Sequence, residues 1–184
     1  MNDAQYKEWM IEAGWSPYKI GKETHFEMQL EDRKLRVPGT YTQLSDELHF
    51  DDNSKIWVKD YATVKHALFP SMKLDRCYVA SRPKASTKVA GTGSPEFFQE
   101  LTKTLIKWAE NVDINTEIQN AADATDRLGH FSFDHITALA FTGNTVQLQI
   151  WREKVASGET TGLSPMVTVE VLDKALEIAR KNGP

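Results

Sequence analysis

The groups able to do chemistry in this 184-residue chain are scattered rather than gathered into a motif. Of its five histidines, His25, His49, His66, His130 and His135, the closest pair is His130 and His135. On an extended chain that spacing points them to opposite faces, a poor arrangement for two ligands of one metal ion. Cys77, the single cysteine, lies between Arg76 and Tyr78 in a predicted strand. A nucleophile there needs a base to hold it as thiolate, whereas a small buried apolar residue needs only a core. Gly91 and Gly93 precede a predicted helix, whose first N–H groups could meet an anion. The Gly-Lys-Ser/Thr ending of a nucleotide loop is missing, and the pair reads as a flexible connection.

Two further groups bear on recognition. Asp46, Glu47, Asp51 and Asp52 flank Leu48 and Phe50. They read as a solvated turn that keeps an edge strand from pairing, as an acidic surface that draws a basic partner, or, with His49, as the carboxylates of a small hydrolase. No calcium-loop spacing is present. Among five tryptophans, Trp9 and Trp108 sit on apolar helical stripes and read as core. Trp15, Trp57 and Trp151 lie beside turns or on less apolar strand faces, where an exposed aromatic anchors an interface. The candidate partner-binding residues are therefore Asp46, Glu47, Asp51, Asp52, Trp57 and Trp151. No catalytic residue, metal ligand or cofactor is assigned.

Composition narrows the classes. An apolar fraction of 40% with 26% charged residues is that of a globular protein. No apolar run approaches the roughly 20 residues of a membrane span. The start, MNDAQYKEWM, lacks the basic-then-apolar pattern of a secretory leader, and one cysteine excludes an internal disulfide; both fit a cytoplasmic protein. A net charge of −4 and a pI near 5.8 disfavour wholesale nucleic-acid binding and leave a basic protein partner open.

The elements that must position these groups follow from period and punctuation. Asp3 is expected to cap a short helix carrying Tyr6, Trp9, Met10 and Ala13. Residues 25–30 alternate, with Phe26, Met28 and Leu30 on one side, and residues 34–37 answer as an antiparallel partner. Residues 40–44 and 47–50 read as strands, 55–58 as a return strand, 60–69 as a helix and 76–81 as a strand. Residues 82–94 read as a flexible loop, after which Ser94 and Pro95 open a helix striped by Phe97, Phe98, Leu101, Leu105 and Trp108. Asp113 and Thr168 cap two more helices, and residues 166–167 read as an edge strand. Residues 132–152 are expected to form a central hairpin about Gly143-Asn144, pairing Phe141 with Val146, Leu139 with Leu148 and Thr137 with Ile150. The sum predicts a single α+β domain over residues 1–184, with a largely antiparallel sheet.

The last third, ADATDRLGHFSFDHITALAF through VQLQIW to PMVTVEVLDKALEIA, together with size and acidity, resembles the immunity proteins that bacteria encode beside antibacterial toxins, type VI secretion effectors included. The resemblance implies a cytoplasmic, non-enzymatic protein, monomer or homodimer, that binds a cognate protein toxin and no nucleic acid or membrane. For a nuclease toxin, Asp46, Glu47, Asp51 and Asp52 would occupy the groove meant for phosphate. The alternative is a secretion chaperone that holds an effector as a homodimer, which the order of leading helix, strands and closing helix also resembles; the helices of residues 95–124 depart from that plan. A small hydrolase is the third reading.

Overall fold

The computed structural model describes residues 2–39, 41–44, 47–82, 85–90, 93–124, 129, 131–159 and 162–183, with residues 42–44, 47, 51–52 and 85–90 placed by their backbone alone. Contacts divide the chain into two compact units, Met1–Val58 with Ala80–Val112, and Lys59–Val79 with Asp113–Pro184.

The first unit carries the strands. Helix α1 (Asp3–Glu12) is capped by Asn2, one residue before the expected Asp3: the Asn2 side chain accepts from the Gln5 N–H while the Gln5 side chain accepts from the Asn2 N–H. Strands β1 (Ser16–Ile20), β2 (Glu23–Gln29), β3 (Lys34–Pro38), β6 (Lys55–Trp57) and β7 (Ala80–Ser81) form one antiparallel sheet in that order. Strands β4 (Tyr41–Leu44), β5 (Glu47–Asp52) and β8 (Ala85–Ala90) form a second, with β5 in the middle. The β1–β2 hairpin turns on Gly21-Lys22, with Gly21 at φ 65°. Its Pro17-containing first strand was not expected, because a proline on an edge strand hides the alternation.

Helix α3 (Pro95–Asn111) starts as expected, with the Ser94 hydroxyl accepting from the Phe97 N–H and proline in the first turn. It buries Phe98, Leu101, Leu105 and Ala109, and with α1 it lies against the sheet face carrying Phe26, Leu35, Val37 and Ile56. Burying each large side chain of this kind is worth about 1.5–3 kcal/mol. Trp15 is buried too, its indole N–H donating to the Thr102 hydroxyl across 2.7 Å. Trp9 and Trp108, expected in the core, are only half-buried.

Three expectations are corrected here. Residues 55–58 do not return on 47–50: β6 pairs with β3 and β7, and β5 with β4 and β8. Residues 85–90, inside the expected loop 82–94, are strand β8, an edge strand whose small polar sequence carries little apolar pattern. Of the expected strand 76–81 only β7 remains, preceded by a 3-10 turn at Leu74–Arg76.

The second unit is helical: α2 (Lys59–Leu68), α4 (Ile114–Asp123), α5 (Ser132–Phe141), α6 (Thr145–Ala156) and α7 (Val169–Asn182). The expected hairpin of residues 132–152 is the pair α5 and α6. Gly143 does take a positive φ of 75°, but it ends a helix, and Asn144 caps the next by accepting from the Gln147 N–H. Helix α5 packs against α2, α4, α6 and α7, and its side chains from His135 to Ala140 are all buried. A helix covered on every side has no polar stripe, so the helical period vanishes from its sequence and a two-residue alternation takes its place. The stretch is still the centre of its unit, and Leu139→Ala at its middle would cost about 2–5 kcal/mol. Residues 166–167, expected as an edge strand, lie in a turn and the approach to α7.

The α+β class and the antiparallel sheet stand as expected. Among the described residues, no helix is long and apolar enough to cross a membrane.

Candidate functional site

Strand alternation gives the five-stranded sheet a second face, opposite the one lined by Phe26, Leu35, Val37 and Ile56. On it the register brings together Tyr18 and His25 of the β1–β2 pair, Glu27 and Arg36 of the β2–β3 pair, Lys34 and Trp57 of the β3–β6 pair, and Lys55 and Ser81 of the β6–β7 pair. Arg36 is the hub. Its guanidinium carbon lies 4.8 Å from the Tyr18 ring and 4.9 Å from the Trp57 ring, while its Nε and Nη2 donate to the Glu27 carboxylate at 3.1 and 2.9 Å. Lys34 Nζ donates to the other Glu27 oxygen at 2.6 Å and stands 5.8 Å from the Trp57 ring.

The electrostatics follow from this packing. Only 4% of Arg36 is exposed, and among the described residues its charge is met by the Glu27 carboxylate and the ring faces of Tyr18 and Trp57. Burial alone would raise the Glu27 pKa, but the hydrogen bonds and charges of Lys34 and Arg36 outweigh it and hold the carboxyl below its usual range. Among the described residues, Lys34, Arg36 and Lys55 outnumber Glu27 in the middle of the face; Glu23, at the start of β2, pairs with His25 at 3.2 Å. A chain of net charge −4 thus carries a sheet face that is cationic and aromatic among its described residues, with its rings fixed in place.

Of the expected partner-binding residues, Trp57 belongs to this face. Trp151 does not: it is in the second unit, 7% exposed, with its indole N–H donating to His135 Nε2 across 2.9 Å. A tryptophan that closes its own core offers no anchor to a partner. Asp46 lies outside the described residues, and Glu47, Asp51 and Asp52 are placed by their backbone in β5, a middle strand and not the expected edge. Alternation along β5 puts positions 47 and 51 on one face and 52 on the other, with the buried Leu48 and Phe50, so these three positions do not share one face of the strand.

The remaining chemical candidates have structural partners. Both nitrogens of His135 are used, Nδ1–H donating to the Ala121 carbonyl at 3.0 Å and Nε2 accepting from Trp151, and burial lowers its pKa. His130 lies outside the described residues. Cys77 is fully buried, and burial pushes its thiol up against the pull of Lys65, the opposite of an activated thiolate. Lys65, 4% exposed, pairs with Asp134 and reaches the Tyr78 carbonyl at 3.4 Å, tying α2 to α5. Among the described residues, no group of three or more His, Cys, Asp or Glu is placed to hold a metal ion.

A second feature of the first unit is a cavity of about 360 Å³ beside α1. Tyr6 forms part of its wall, packed edge-on against Phe26 and Phe98 and tilted against Tyr41. Tyr6 is 3% exposed and its hydroxyl has no hydrogen-bond partner among the described residues, which costs about 1–3 kcal/mol. Burial drives its pKa far above that of a free phenol.

The sequence held the signal for the sheet face without its centre. Alternation put His25, Glu27 and Gln29 opposite the apolar residues of β2, but Tyr18 stands on the unexpected β1, and the role of Arg36 depends on partners from three other strands. Comparison with curated proteins and with solved structures gave no match. A family model described as a family of unknown function, DUF6990, matches residues 2–180 from α1 to the last turn of α7, and the chain belongs to that family.

Proposed function

We propose that this protein is a non-enzymatic binding protein, an immunity protein that neutralises a cognate antibacterial effector by seating an acidic surface of that toxin on the Tyr18–Arg36–Trp57 face. The observation that carries the reading is the arginine held between two aromatic rings. It fixes Trp57 and Tyr18 before any partner arrives, so little side-chain freedom is lost on binding. Aromatic and arginine side chains are also the residue types that dominate interface energetics. The cationic excess of Lys34, Arg36 and Lys55 selects an acidic patch on the toxin, in place of the basic groove expected for Asp46, Glu47, Asp51 and Asp52.

The test is co-expression with the product of the adjacent reading frame. The native chain should restore growth and co-purify with that product; Trp57→Ala with Lys55→Glu should lose both while remaining folded by circular dichroism at the assay temperature. Full protection by the double variant would remove this face from the reading.

One observation favours a secretion chaperone: Val146 and Ile150 on α6 are 71% and 41% exposed, one turn apart beside Leu176 of α7. A homodimer in light scattering that Val146→Glu dissociates would select that reading.

A further inference from the structure

We draw no further inference here: the strongest candidate, the groove between α6 and α7 lined by Val146, Gln149, Ile150, Leu176 and Arg180, is an unpartnered apolar face, and nothing in the structure shows what covers it.

Discussion

The indole N–H of Trp151 donates to Nε2 of His135 across 2.9 Å, and this bond fixes which tautomer the buried histidine adopts. With Nδ1–H given to the Ala121 carbonyl, the ring is neutral, and a second proton would set two N–H groups against each other. Burial lowers the His135 pKa accordingly. Above the ordinary histidine value of about 6.5 the imidazole is neutral folded and unfolded, and the arrangement contributes in full. Below it the unfolded chain takes up a proton that the folded chain refuses, so stability should fall as the pH drops from about 6.5 toward the lowered folded value. Urea unfolding at a series of pH values checks this, and His135→Leu should remove that part of the dependence while costing about 1–3 kcal/mol for the unpaired indole N–H.

The Trp15–Thr102 bond makes the matching test in the first unit. Thr102→Val keeps the shape of the side chain and removes the acceptor of a buried indole N–H. A loss of about 1–3 kcal/mol is expected in chemical unfolding, with near-ultraviolet circular dichroism of Trp15 altered.

Glu27 should matter more than a surface carboxylate. Glu27→Ala leaves Arg36 with its charge buried between Tyr18 and Trp57, at an expected cost of about 2–4 kcal/mol, whereas Glu100→Ala, which breaks an exposed pair with Lys103, should cost less than about 0.5 kcal/mol. Because its partners hold the Glu27 pKa down, its contribution is complete above the ordinary value of about 4.3 and is lost as the pH falls through the folded value. Comparing the acid limbs of the native and Glu27→Ala unfolding profiles checks the direction.

Gly143→Ala should destabilise the second unit by about 2 kcal/mol or more, because φ is 75° there and a Cβ would lie 2.7 Å from the Gly183 Cα. Gly158→Ala makes the control. Its φ is 74°, but nothing stands within 4 Å of the added carbon, so it should pay the conformational part alone, about 1 kcal/mol. Thermal unfolding of the two variants separates strain from collision.

What could be read from the chain follows where local chemistry decides structure. Ser94-Pro95, Asp113 and Thr168 start their helices as expected, because a cap acts on N–H groups within three residues. The alternation of residues 25–29 survives because β2 lies inside the sheet with one face buried. The unexpected strands β1 and β8 are both edges, where one neighbour is missing and the pattern weakens. Gly143-Asn144 misleads because a hairpin and a helix corner demand the same positive φ; only the helix-forming Ala138, Leu139 and Ala140 before it favour the corner. For the site, Trp57 could be suspected from its position beside a turn, but Trp151 and Trp57 look alike until the fold covers one of them.

The interleaved path of the chain has a consequence for how the protein is made. Helix α2 emerges before the helices that cover it, carrying Tyr61, Ala62 and Leu68, all destined for the interior, and a lysine committed to Asp134. The helices that cover it follow only after β7, β8 and α3 have been synthesised. Throughout that interval α2 presents an oily, basic stripe to solvent, the kind of segment that holdase chaperones grip. The second unit can therefore only complete itself once α5 has emerged to receive Lys65.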